Sequence, residues 1–123
     1  MTNNAHTARA RGAAIEQLAA QWLSDHGLTL IAHNYCVKGG ELDLVMWDSD
    51  ILVFIEVKHR TTTRYGHPLE TVTYQKQQRL VRAARHYIAR HGLSSSCRFD
   101  ILAITGKPPT LEFNWVKAAF DAF

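Results

Sequence analysis

The chain has 123 residues, 46% hydrophobic and 20% charged, which suits one packed domain and excludes a disordered polymer or a large multidomain protein. Net charge is +3, a weak bias toward acidic partners. The longest apolar run, Ile51 to Ile55, is strand-sized and far short of the roughly 20 residues a membrane helix needs, so no membrane is expected as a partner.

Met1 to His6 read as a disordered polar tail without the apolar centre of a signal peptide, so a cytoplasmic location is the expectation. A single domain over 7–123 follows. From Thr7, a plausible N-cap, apolar Ile15, Leu18, Ala19, Trp22 and Leu23 recur on one helical face, and Gly27 ends the helix with His26 in its last turn. Leu28 to Val37 reads as a strand, ragged near His33 and Asn34. After the turn Lys38-Gly39-Gly40, Glu41 to Trp47 forms a second strand, and Asp48-Ser49-Asp50 turns the chain into a third, Ile51 to Lys58. Short turns imply antiparallel neighbours. The third strand is apolar on consecutive residues, so both its faces should be covered and it should lie at the sheet's centre.

Arg60 to Thr73 is the one long irregular stretch, and loops of that length are often functional. Tyr74 to His91 is a second helix closed by Gly92, with Leu80, Val81, Ala84, Tyr87 and Ile88 as its apolar face. Arg98 to Thr105 is a fourth strand, and Leu111 to Trp115 is a candidate fifth. A crossover helix between the third and fourth strands makes them parallel. The expected fold is α/β: a mixed sheet flanked by helices on both sides, in the order α-β-β-β-α-β-(β). The two cysteines, Cys36 and Cys97, lack framework spacing and are expected as free thiols.

Two strand features are anomalous. Glu41-Leu42-Asp43-Leu44 places acids two apart in an apolar strand, and Glu56-Val57-Lys58 ends the most apolar strand with an acid and a lysine. Residues two apart share a face and lie roughly 6.6 Å from one another. Antiparallel pairing across Asp48 to Asp50, with residue numbers summing to about 99, sets Asp43 against Glu56 and Glu41 against Lys58. Carboxylates held so close repel unless a proton or cation lies between them. Hard oxygen donors at strand ends suit Mg²⁺ or Mn²⁺, which keep waters and bind phosphate oxygens. Lys58 could then orient an attacking water or steady developing negative charge. The plainer alternative is a pair of surface salt bridges, Glu41 with Lys58 among them.

Glu16 falls beside the first helix's apolar stripe rather than opposite it. An acid leaning toward a sheet wants a partner or a cation; otherwise it is an edge residue reaching solvent. The second helix carries Arg79, Arg82, His86 and Arg90 away from its apolar face, with Lys76 and Arg85 on the flanks. Together with Arg60 and Arg64, which lie close in sequence to Lys58, these are candidate phosphate contacts, against the alternative of a merely solvated basic face.

Gly39-Gly40-Glu41-Leu42-Asp43-Leu44 and Phe54-Ile55-Glu56-Val57-Lys58-His59-Arg60 resemble the YraN family of small bacterial proteins. So do Gly66-His67-Pro68-Leu69-Glu70-Thr71-Val72, Lys76 with Arg79-Leu80, and Arg98-Phe99-Asp100. The resemblance spans nearly the whole chain. That family in turn is similar to Holliday-junction resolvases of the PD-(D/E)xK restriction-endonuclease-like superfamily. The resemblance implies Asp43, Glu56 and Lys58 as the catalytic set and Glu16 as an additional helix acid, with Leu42 standing where the superfamily pattern has proline. It implies a divalent-metal-dependent endonuclease acting on DNA, branched DNA included, and a symmetric homodimer to match a junction's paired strands. The aromatic C-terminal residues Trp115, Phe120 and Phe123 could cover such a partner. A nucleic-acid-binding module that keeps the fold without cleaving is the alternative.

Overall fold

The computed structural model describes residues 4–62 and 72–121, with side chains described from Gly12 onward. The elements run α1 (Asn4–Asp25), β1 (Thr29–Val37), β2 (Gly40–Asp48), β3 (Ile51–Arg60), α2 (Tyr74–His91), β4 (Cys97–Lys107) and β5 (Thr110–Phe120). This is the expected α-β-β-β-α-β-β order, with the fifth strand present and longer than its apolar pattern suggested. Helix α1 begins at Asn4, inside the stretch read as a tail and ahead of Thr7. Alanine and arginine, which dominate residues 5–11, are strong helix formers and carry the helix past that candidate cap. At its other end His26 lies just outside the helix, where Gly27 adopts φ +101° and the Leu28 N–H bonds back to the Leu23 carbonyl at 3.1 Å.

The five strands lie in sequence order in one sheet, and β3 is central. β1, β2 and β3 form an antiparallel meander, β3 and β4 are parallel, and β4 and β5 are antiparallel. Helix α2 makes the crossover that the parallel pair requires. Each helix covers one face. Ala19 and Leu23 of α1 pack with Leu44, Met46, Val53, Ile55, Leu102 and Ile104 of the sheet. Leu80, Ala83, Ala84 and Tyr87 of α2 pack with Leu42, Val45, Leu52, Phe54 and Phe99. The consecutive apolar residues of β3 alternate between these layers, which is why the strand had to be apolar throughout. Leu18, placed on the apolar face of α1 by its spacing, is instead 39% exposed.

A glycine turn sets the start of β2 against α2, and a buried acid ties β4 to β5. Gly40 starts β2 directly under α2, and a Cβ there would stand 2.3 Å from the Arg79 carbonyl oxygen and 3.2 Å from the Ala83 nitrogen. No residue with a side chain fits at that approach. At the far edge, buried Asp100 on β4 accepts hydrogen bonds from Arg98 Nε (3.0 Å), Trp115 Nε1 (2.9 Å) and the Ala118 N–H (2.9 Å). Arg98 also bonds Asp48 at 2.8 Å, joining the β2–β3 turn to the β4–β5 pair. Phe120 stacks on Phe99 with centroids 4.8 Å apart. Trp115 and Phe120, read as possible cover for a partner subunit, are half-buried and make these contacts within the chain; Phe123 lies outside the described residues. Both cysteines are free thiols. Among the described residues no helix is long and apolar enough to cross a membrane.

Candidate functional site: acids and lysines where two strands part

The β2–β3 ladder runs Asp48↔Ile51, Trp47↔Leu52, Met46↔Val53, Val45↔Phe54 and Leu44↔Ile55. This is the register expected from the short turn, and its next step brings Asp43 level with Glu56. There the backbone ladder gives way to a side chain: Asp43 Oδ2 accepts the Val57 N–H at 2.8 Å. On the other side of β2, partners run His33↔Leu44 and then Tyr35↔Leu42, with Asn34 between them at φ +51°. Asparagine tolerates that left-handed conformation better than most residues.

The result is a reversal of faces at Asp43. Leu44 packs in the α1 layer and Leu42 in the α2 layer, although residues two apart in a regular strand share a side. The simple alternation that put Glu41 and Asp43 on one face therefore does not run through Asp43, and Glu41 is exposed. Asp43 sits at the crossing point, half-buried, and is joined by acids from both layers. Glu16 reaches it from α1; both residues, with Ile15, Val57 and His59, border a cleft of about 780 Å³. Glu56 projects on the α2 side, following Leu52 and Phe54 in the alternation of β3, and is 7% exposed.

Electrostatics follow from this crowding. Burial first, then the Glu56 charge, pushes the Asp43 carboxyl from an ordinary 3.8 to about 7. Glu16 and Glu41 push the same way, and the Val57 N–H pulls back. Burial lowers the Lys58 ammonium below its ordinary value, helped by Lys76 and Arg60 and opposed by Glu56. Lys76, from the first turn of α2, bonds Glu56 Oε1 through Nζ at 3.0 Å. That bond, and then the charges of Glu56, Asp43 and Glu41, raise its ammonium despite partial burial. The first turn is itself fixed, since Thr73 Oγ1 accepts the Lys76 backbone N–H at 3.2 Å.

Asp43, Glu56, Lys58 and Glu16 are thus brought to one end of the central strands. Lys76 joins them as a partner of Glu56 rather than as a cation on the outer face of its helix. The basic groups Arg60, Arg79 and Arg82 are exposed, as are Arg85, His86 and Arg90. Arg60 Nη1 donates to the His59 carbonyl at 3.1 Å, and Arg82 lies over Gly39. Arg64 lies outside the described residues. Among the described residues no group of three or more His, Cys, Asp or Glu side chains forms a ready cation cage. The donors at hand, the Asp43, Glu56 and Glu16 carboxylates, are hard oxygens of the kind that hydrated Mg²⁺ or Mn²⁺ takes.

The Glu56–Lys76 pair was not foreseen. Its one signal in the sequence was the position of Lys76 three residues after Thr73, which places it in the α2 first turn. Nothing in the spacing marked the Asp100–Arg98–Trp115 network.

A mixed five-stranded sheet between two helices, with acids and lysines gathered where its central antiparallel strands separate, defines an α/β protein with a charged cluster at one end of the sheet. The chain belongs to the uncharacterised protein family UPF0102, the YraN family, whose model matches residues 15–104. It is 54% identical over 123 residues to a UPF0102 protein of Chromohalobacter salexigens, covering 100% of both chains. It is 44% identical to one of Stutzerimonas stutzeri over 113 residues, covering 90% of this chain and 94% of that one. A Serratia proteamaculans UPF0102 protein is 46% identical over 117 residues, covering 93% and 97%.

Proposed function

We propose that the protein is a divalent-metal-dependent endonuclease acting on DNA in the cytoplasm, with branched DNA as its preferred form. The observation that carries this reading is geometric: the Asp43 carboxylate, fixed on the Val57 N–H at 2.8 Å where the β2–β3 ladder ends, has buried Glu56 level with it and Glu16 bordering the same cleft, with Lys58 two residues beyond Glu56 on β3. Carboxylates crowded in this way repel, and the relief of that repulsion is a source of metal affinity.

Asp43 and Glu56 would hold Mg²⁺ or Mn²⁺, which when bound makes a water more acidic and offsets charge on the phosphoryl oxygens. Lys58, partly desolvated, orients the attacking water and steadies the negative charge that builds on the phosphate. Glu16 holds a second ion or a water from the α1 side. Arg60, Arg79, Arg82 and Arg64 would track the phosphate backbone. The preference for branched DNA, and a symmetric homodimer to engage it, rest on the resemblance to Holliday-junction resolvases.

A second reading has its own support. The bond between Lys76 and Glu56 already neutralises one of the two proposed ligands, which suits a nucleic-acid-binding module that no longer cleaves. The separating experiment is cleavage of duplex, single-stranded and four-way-junction DNA with Mg²⁺ or Mn²⁺, using Lys58→Ala as control. Cutting that Lys58→Ala abolishes supports the enzyme. Binding without cutting of any substrate by either metal supports the module. Sedimentation with and without junction DNA tests the dimer, and monomer in both conditions removes it.

A further inference from the structure

The Glu56–Lys76 bond is unusual in its asymmetry. The Glu56 side chain is 8% exposed and that of Lys76 43%. The carboxylate is therefore fixed in the protein, while the ammonium approaches it from the solvent side on a long, flexible stem. The backbone of Lys76 is held by Thr73 Oγ1, so the ammonium can leave Glu56 without moving the helix. Helix α2 also brings the positive end of its dipole to this place, which favours anions. A lysine in the first turn of a helix opposes that dipole, since acids are the favoured residues at this end. Its presence is explained by the acids it faces: Glu56 directly, and Asp43 and Glu41 at longer range.

We propose that Lys76 is a positioning residue whose ammonium stands in for a cation on Glu56, and that divalent metal displaces it. Once displaced, it sits at the N-terminal turn of α2, where helix and ammonium together present a cationic surface to a substrate phosphate. The inference rests on the metal-dependent reading of the site and adds a component to it. Metal binding and the arming of a phosphate contact become one event. A cation must compete with an ammonium already in place, which lowers the apparent affinity for every cation alike and ties site occupancy to release of Lys76.

The test uses the full chain, with lysine labelled at Nζ, and Mg²⁺ alone as probe. The Lys76 Nζ resonance is assigned by its loss in Lys76→Gln, and Mg²⁺ affinity is read by titration calorimetry for wild type, Lys76→Gln and Glu56→Gln. Displacement moves the Lys76 Nζ signal toward that of a solvent-exposed lysine, along the same isotherm as the heat. Lys76→Gln should bind Mg²⁺ about fivefold more tightly, the size of one ion pair of this exposure. Glu56→Gln should bind more weakly and should show the Lys76 signal at its exposed position before any metal is added. If wild type binds Mg²⁺ and Glu56→Gln weakens it, but the Lys76 signal stays in place at saturation, displacement is wrong and the metal site stands. If neither wild type nor Lys76→Gln binds Mg²⁺, the metal reading and the displacement fall together, leaving a structural salt bridge.

Discussion

The Asp43 carboxylate takes the place of a backbone acceptor for Val57, at 2.8 Å, at the level where the β2–β3 ladder ends. That bond favours a charged Asp43. Burial and the neighbouring acids oppose it and prevail, so the carboxyl titrates near 7. The residue is held in place by one interaction and made electrostatically costly by the rest.

A pH dependence follows from that imbalance. Between about 4 and 7 the folded chain holds a proton on Asp43 that the unfolded chain, titrating near 3.8, has released. Stability should therefore fall as pH rises through this window and level off above it. Asp43→Asn keeps an acceptor for the Val57 N–H and removes the charge, so it should flatten the fall and equal or exceed wild type at pH 8. Urea denaturation at pH 5, 6, 7 and 8 measures both curves. Saturating Mg²⁺ should return at pH 8 what wild type loses, and leave Asp43→Asn unchanged. A strongly destabilised Asp43→Asn at pH 8 would make the aspartate a structural partner instead.

Catalysis and binding should separate by residue. Lys58→Ala should abolish cleavage and leave DNA affinity within a few-fold, because a single phosphate contact is a small part of the electrostatic attraction. Asp43→Asn should also be inactive yet bind as tightly or more so, having lost a negative charge. The double variant Arg79→Ala with Arg82→Ala should bind weakly, with a salt-dependence slope smaller by about two if both arginines meet phosphates. Fluorescence anisotropy across a salt series, alongside cleavage gels, distinguishes the three. An unaltered slope in the arginine variant would leave that helix face to the solvent.

Gly40→Ala should destabilise by about 1–3 kcal/mol, the usual cost of forcing atoms into a packed contact. The added Cβ meets the Arg79 carbonyl, which is helix backbone, rather than a movable side-chain tip. Because α2 also carries Lys76, the displacement should shift the Lys76 and Glu56 resonances as well. Denaturation midpoints and a heteronuclear spectrum check the two effects together.

Asp100→Ala should cost about 3–5 kcal/mol, as breaking a buried ion pair from one side leaves the other charge stranded. Arg98, Trp115 Nε1 and the Ala118 N–H would each lose an acceptor. Metal affinity per folded molecule should stay unchanged: Asp100 is level with Ile55 on β3, but its partners Arg98, Trp115 and Ala118 lie on β4 and β5, on the side of β3 away from Asp43. A loss of metal affinity in folded protein would instead tie β5 to the site.

Periodicity carried the element order, the central place of β3 and the β2–β3 register, since each depends on local pattern: a consecutive apolar run, a short turn, a crossover helix. It failed where a side chain answers to something distant. Asn34 and Asp43 break the alternation of their strands together; the raggedness read near Asn34 marked the break in β1, and nothing marked its counterpart in β2. Leu18 lies on the apolar stripe of α1 by angle alone, and it borders the open cleft beside Asp43 instead of the core. The contacts of Trp115 and Phe120 within the chain were not legible, because the acceptor and ring they meet, Asp100 and Phe99, sit on another strand. Lys76 was grouped with the other cations of its helix because a wheel gives an angle and no reach.

The reversal at Asp43 shifts the phase of β2. Before it Leu42 turns to the layer that α2 seals; after it Leu44 and Met46 turn to α1 while Val45 and Trp47 turn to α2. Cooperative opening of α2 would therefore uncover Leu42 and Val45, three residues apart where a regular strand would give two, and amide protection along β2 would lose its alternation at this one place. The acid proposed as a metal ligand is also the point where its strand changes step.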